Sequence, residues 1–366
     1  MEVDCLTNLP TEITTDILSR LSIKSLAISK SVCKAWRDLF DFVKSDIKTP
    51  PALVRFYWGK NSTRCKIIEI EDEDEADLES HDLHYHPLTD LVIPHRSTGP
   101  MQGITANELL LMYSPSTKGI PLYICNLITR EYTELSYPEF VNIPKQVLQF
   151  GFGVSKISGQ YKVVWMIADF HCVYTLGTGT WRRIEAGPAS FVCFCGGPIL
   201  CNHNLHWIVC DFMNNIWSFC SFDVETECYN IFSYPPTKHR SGRLSVLRDC
   251  LCYSCHARNN EIVIWMMKEY QVDESWTVEY KMSTIGFDLS NSYETYKHVF
   301  AINLYKDGDV LMLLDYSILA YYSNNTRTLQ RVNMLNDADA KRGYALIFNP
   351  SLLSLKSFGF ENVISF

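Results

Sequence analysis

Two hydrophobic periodicities divide the chain near residue 50. Before it, Ile13, Ile17, Leu18 and Leu21 recur at helical spacing on one face, and Val32, Trp36, Leu39 and Phe40 form a second stripe. Pro10 suits a first helical position, where its missing N–H costs nothing, and Glu12 favours the positive end of the helix dipole. The pattern predicts three short helices, one ending near Arg20-Leu21, one over residues 24–29 capped by Ser22, and one over residues 32–40. Pro50-Pro51 then ends helical structure. Beyond it the apolar residues come in short runs bounded by turn residues, such as 108–113, 161–167, 205–209, 261–266 and 310–314, which predict strands.

One hairpin form recurs among these runs. A strand enters a polar turn, and a large residue opens the return strand. The turns are 128–131, 177–180, 223–226, 272–275 and 324–327, and the return strands open at Tyr132, Trp181, Tyr229, Trp276 and Leu329. Those residues are 49, 48, 47 and 53 positions apart. A period of about fifty residues with about four strands predicts propeller blades, because a lone four-stranded sheet leaves both faces bare. Residues 52–366 then hold about six blades, the first running from Arg55-Phe56-Tyr57-Trp58 to Leu91-Val92-Ile93. Residues 344–348 and 352–355 are the candidates to pair with that blade and close the ring. An irregular β-sandwich is the alternative. The fold class is therefore α+β multidomain, with a small three-helix module over residues 1–50 and an all-β propeller-like domain over residues 52–366.

Composition narrows the function. Hydrophobic residues at 47% support a substantial core, and a net charge of −8 argues against a nucleic-acid partner, which needs cations to displace counterions. Seven acids crowd into residues 71–79, which reads as a solvated loop or as a hook for a basic partner. The acidic start Met1-Glu2-Val3-Asp4-Cys5 has no basic region before an apolar stretch, and no run is long enough to span a bilayer. The expectation is a protein of the cytoplasm, the nucleus or both, without membrane contact. Its fourteen cysteines, many within apolar strand-like runs, then read as reduced and mostly buried.

Three short helices cannot bury Ile13, Ile17, Leu18, Leu21 and Trp36 among themselves. Either a partner's groove or the large domain of the same chain must cover them. At this point the residues carry a resemblance. Leu9-Pro10-Thr11-Glu12-Ile13, Asp16-Ile17-Leu18-Ser19-Arg20-Leu21, Lys24-Ser25-Leu26 and Ser31-Val32-Cys33-Lys34-Ala35-Trp36-Arg37 resemble an F-box, in order and with the right gaps. Ser22 stands where relatives usually carry proline. The resemblance implies binding to a Skp-type adaptor, and through it to a cullin scaffold carrying the ubiquitin-transfer machinery. It implies adaptor contacts at Leu9, Pro10, Ile13, Ile17, Leu18, Leu21, Leu26, Val32, Cys33 and Trp36. Downstream, Phe150-Gly151-Phe152-Gly153, Tyr161-Lys162-Val163-Val164, residues 173–182 and Leu205-His206-Trp207 are similar to the F-box-associated domain of plant F-box proteins. Asn126-Leu127-Ile128-Thr129 is similar to the family's Asn-Pro-Xaa-Thr turn, with Leu127 replacing proline, and Met101-Gln102-Gly103-Ile104 takes the place of its Cys-Asn-Gly-Leu stretch. The family implies a kelch-like propeller, although the kelch double glycine occurs once, at Gly196-Gly197.

Two constellations could carry chemistry. Cys252-Tyr253-Ser254-Cys255-His256 matches the attachment pattern of c-type haem, but it also reads as a strand with Leu251 and Tyr253 on one face and Cys250 and Cys252 on the other. His81, His84 and His86 are metal-capable, yet closely spaced loop histidines seldom form a closed site. Neither supports a cofactor or a metal. The resemblance therefore implies the substrate-recognition subunit of a Skp–cullin–F-box ubiquitin ligase, bridging the adaptor to an unidentified protein target without catalysis of its own. The rivals are an adaptor-binding protein outside any ligase and a propeller enzyme. Arg182, Arg183, Arg240 and Arg243 are the surface cations that a target could meet, or ordinary solvated charges.

Overall fold

In the computed structural model the described residues are 10, 12–13, 16–17, 21, 25, 52–59, 61–70, 85–95, 101–114, 121–138, 149–166, 170–188, 193–211, 213–257, 260–287, 298–315, 318–332 and 343–366. The described residues from 52 onward form six antiparallel sheets arranged as a six-bladed propeller. The first blade holds β1 (Ala52–Gly59), β2 (Ser62–Ile70) and β3 (Tyr85–Pro94), with β24 (Gly343–Phe348) as its inner strand. The second holds β4 (Gln102–Ala106), β5 (Leu109–Tyr113), β6 (Leu122–Asn126) and β7 (Glu131–Leu135). The third holds β8 (Gln149–Val154), β9 (Tyr161–Met166), β10 (His171–Thr175) and β11 (Trp181–Ile184). The fourth holds β12 (Cys193–Cys201), β13 (Asn204–Asp211), β14 (Ile216–Asp223) and β15 (Tyr229–Ser233). The fifth holds β16 (Arg243–Leu247), β17 (Cys250–Ala257), β18 (Glu261–Met267) and β19 (Trp276–Ser283). The sixth holds β20 (Val299–Leu304), β21 (Val310–Leu314), β22 (Ile318–Ser323) and β23 (Thr328–Arg331). The repeat legible in the sequence is the third-to-fourth-strand turn of blades two to six.

Strand alternation explains why the central strands are apolar throughout. In β5, Leu109, Leu111 and Tyr113 face the third blade, while Leu110 and Met112 face the first. In β21, Val310, Met312 and Leu314 face the fifth blade, while Leu311 and Leu313 face the first. Each blade thus covers a face of both neighbours, and six apolar clusters fill the six seams. Inner strand β8 adapts to both sides by alternating Phe and Gly. Phe150 and Phe152 fill the seam with the second blade, and Gly151 leaves room on the other face for the buried Trp207 and Leu205.

The ring closes between the two ends of the propeller sequence. β24 pairs antiparallel with β1, Ala52 opposite Phe348, so the expected closure by residues 344–348 holds. Residues 352–355 do not form the second closing strand anticipated from their apolar pattern. They lead instead into a short 3-10 turn (Leu355–Phe358) whose Leu355 is fully buried between blades two and three. The segment is held by side chains of the second blade. Asn126 Nδ2 donates to Ser351 O at 3.2 Å and Leu353 O at 2.7 Å, and the Glu131 carboxylate accepts from Leu355 N at 2.8 Å and Ser354 Oγ at 2.9 Å. The chain then adds β25 (Ile364–Ser365) to the outer edge of β7. Burying Leu355 rewards its hydrophobicity better than an exposed strand edge would.

A methyl group at Gly151 would stand 2.7 Å from Trp207 Cζ2 and 2.8 Å from Leu205 Cδ1, whereas one at Gly197 would meet nothing within 4 Å. Gly151→Ala is expected to lower the unfolding free energy by about 1–3 kcal/mol. Gly197→Ala is expected to change it by less than about 0.5 kcal/mol. Denaturant titration of the two variants checks both values.

Candidate functional site

A binding propeller presents its loops at two ends, and the strand directions assign them. First-to-second and third-to-fourth turns of every blade lie at one end, as shown where they meet across seams. Asn349 N bonds Asn107 O at 3.2 Å, Ser158 Oγ bonds Glu225 Oε2 at 2.7 Å, and Arg248 Nη2 bonds Tyr305 O at 2.6 Å. Ala52 opens β1 at this same end, opposite Phe348, so the N-terminal segment joins the propeller here. The opposite, far end carries the second-to-third turns and the connections between blades, including 234–242 and the approach to β20 through His298. Arg243 and His298 meet there across the fifth and sixth blades at 3.0 Å.

Most of the predicted adaptor contacts, Leu9, Leu18, Leu26, Val32, Cys33 and Trp36, lie outside the described residues, and so does the three-helix arrangement. Of the remainder, Ile13 and Ile17 are in helical conformation and stay 49% and 40% exposed. Pro10 is exposed, and Leu21 is half-buried. Among the described residues, then, the predicted apolar pair is not tucked against the sheets. The four arginines resolve differently. Arg182 pairs with Glu227, Arg183 lies 3.9 Å over the Phe170 ring, Arg240 donates to Asn215 O at 3.3 Å, and Arg243 donates to Gly242 O at 3.0 Å.

The haem-like run is strand β17, and alternation splits it. Cys252 faces the sixth blade and Cys255 the fourth, so the two thiols lie on opposite faces of one sheet and cannot flank one macrocycle. Burial pushes the Cys255 thiol up to about 11 and raises Cys252 further, which suits inert core thiols. Eight of the eleven described free cysteines are buried. His81 and His84 lie outside the described residues, as does the side chain of His86.

Sequence reading missed the polar groups sealed inside the seams. Lys162, buried, forms an ion pair with Glu227 at 2.8 Å that Arg182 joins from outside. His171 meets the Tyr229 hydroxyl, and fully buried His206 meets the Tyr270 hydroxyl at 2.9 Å, a hydroxyl that also accepts from Asn204 Nδ2 at 2.8 Å. The only prior signal was a histidine or lysine inside an apolar run, which does not reveal its partner on the next blade. Desolvation pushes both histidines down to about 4. They are neutral structural groups near neutral pH. The unfolded chain takes up their protons near pH 6.5 and the folded chain only near pH 4, so their contribution is complete above about pH 6.5. It is lost as pH falls through that window, on the order of 3 kcal/mol per histidine. Unfolding free energies measured from pH 7 to 4 are expected to fall, and the slope to flatten in His206→Gln.

Residues 61–349 match the model of the F-box associated beta propeller domain, and residues 6–48 match the F-box domain. Curated relatives include F-box protein At3g07870 of Arabidopsis thaliana, 27% identical over 76% of this chain and 73% of that protein. F-box protein CPR1 of the same plant is 22% identical over 95% of this chain and 89% of its own length. An Arabidopsis F-box/kelch-repeat protein, At3g23880, is 26% identical over 74% and 78%. A solved luciferin-regenerating enzyme superposes on 62% of this chain and 72% of its own at 8% identity and a TM-score of 0.38, too loosely to carry an argument. The chain belongs to the F-box proteins that carry an F-box associated β-propeller domain.

Proposed function

We propose that this protein is the substrate-recognition subunit of a Skp–cullin–F-box ubiquitin ligase, acting in the cytoplasm or nucleus. The observation that carries this is the F-box match over residues 6–48 together with a helical Ile13/Ile17 pair left half-exposed beside a complete propeller. Residues one helical turn apart share a face, and two exposed isoleucines there suit burial in an adaptor groove. Leu9, Pro10, Leu18, Leu21, Leu26, Val32, Cys33 and Trp36 complete the contact set by resemblance. The module joins at the entry end, so the far-end connections are the surface turned toward a target, on a scaffold that holds them in place. Ubiquitin transfer then gains from effective concentration, and the chain contributes no bond chemistry. Kelch-like recognition through blade connections is the corresponding mode.

Leu9→Ala with Trp36→Ala, and separately Ile13→Glu with Ile17→Glu, are expected to abolish co-purification of a Skp-type adaptor while the propeller keeps its unfolding midpoint. Adaptor retention undiminished in both double variants would refute the docking surface. Retention of adaptor without cullin, in wild type, would favour an adaptor-binding role outside a ligase.

A further inference from the structure

Several described cations of the propeller meet an acid or an aromatic ring within it. Lys162 and Arg182 meet Glu227, Lys268 meets Glu279 at 2.6 Å, and Arg183 lies on Phe170. The far end between blades four and five gathers three cations. Connection 234–242 and the first residue of β16 carry Lys238, Arg240 and Arg243, and among the described residues no carboxylate pairs with any of them. Lys238 and Arg240 are exposed and Arg243 is half-buried. The acids on adjoining turns bond those turns: Asp211 accepts from Met213 N at 3.0 Å and Asn214 N at 3.2 Å, and Asp315 Oδ1 accepts from His298 N at 2.7 Å while its Oδ2 is buried with no hydrogen-bond partner among the described residues.

The corner is also held rigid. Fully buried Tyr253 donates its hydroxyl to His239 O at 2.7 Å and accepts from Gly242 N at 2.8 Å, with the Tyr234 hydroxyl as a third partner. Arg240 Nη1 ties the connection to Asn215 O of the β13–β14 turn. Arg243 spends Nη1 on Gly242 O and Nη2 on His298, while its buried Nε has no hydrogen-bond partner among the described residues. Beside it β12 bulges between Cys195 and Ile199. A Cβ at Gly196 would lie 4.0 Å from the Arg243 guanidinium, and one at Gly197 would meet nothing within 4 Å. The guanidinium therefore borders bare backbone of β12. Met213 and Ile216, 93% and 56% exposed, form an apolar ledge on the neighbouring β13–β14 turn.

Resting on the target-binding reading above, we infer that this corner seats an anionic side chain of the target, a carboxylate or a phosphate, on Arg243, Lys238 and Arg240. A half-buried guanidinium beside two exposed cations on a fixed loop is suited to an oxyanion and costs little reorganisation on binding.

The test exposes the full chain to three degenerate peptide pools that differ only at a fixed central residue: serine, glutamate or phosphoserine. An anionic pool is expected to be retained roughly tenfold over serine, the scale of one charged hydrogen bond. Equal retention of the glutamate and phosphoserine pools assigns a constitutively acidic target segment; phosphoserine alone assigns a phosphorylated one. Arg243→Gln is expected to erase the discrimination. Lys238→Gln with Arg240→Gln, both at exposed positions, is expected to reduce it several-fold with the unfolding midpoint unchanged. Equal retention of all three pools, or discrimination that survives both variants, overturns the proposal. Adaptor co-purification is followed in parallel. Its loss with discrimination intact defeats the ligase reading alone, and its persistence without discrimination defeats the anion site alone.

Discussion

The structure depends on mutual burial of blade faces. Leu110 and Leu111 are neighbours in β5, yet each is sealed by a different blade, and the same holds for Val310 and Leu311 in β21. A strand with two apolar faces has no stable state in isolation, because each exposed side chain forfeits about 1.5–3 kcal/mol. Six such sheets satisfy one another only when the circle is complete. The pairing of β24 with β1 is therefore the keystone, since without it Ala52, Val54 and Leu53 would lose the strand that covers the inner edge of their sheet.

That closure also arranges function. It brings residue 52 beside residue 348 at the end opposite the interblade connections. Polar residues follow the same division. Between blades three and four Lys162 is matched by Glu227, because an unmatched charge there would bear the full desolvation cost. At the far end of blades four and five, cations stay unmatched on a loop fixed by Tyr253, where water can solvate them until a partner does.

Several features were legible from residues alone. The 47–53-residue spacing of the large residues that open return strands located five hairpins, because a tight turn demands particular residues whatever surrounds it. Asp223 shows the mechanism: its Oδ1 accepts from Glu225 N at 2.8 Å and Thr226 N at 3.0 Å, a local bond that four consecutive residues specify. The alternation of Leu251 and Tyr253 against Cys252 likewise followed from period two, and it dissolves the haem-like pattern. Residues 352–355 misled, because their apolar character announces burial and not the geometry in which burial occurs.

What the chain determined by itself was thus everything local: strand periodicity, turn chemistry, the change of pattern at residue 50 and the F-box-like spacing before it. Tertiary structure alone decided which faces meet, that His206 finds Tyr270 and Lys162 finds Glu227, and that Arg182 is neutralised while Arg243 is not. Those partners lie 45 to 65 residues apart on adjacent blades, a separation at which one side chain leaves no imprint on the choice of the other. Only closing the ring brings them within reach.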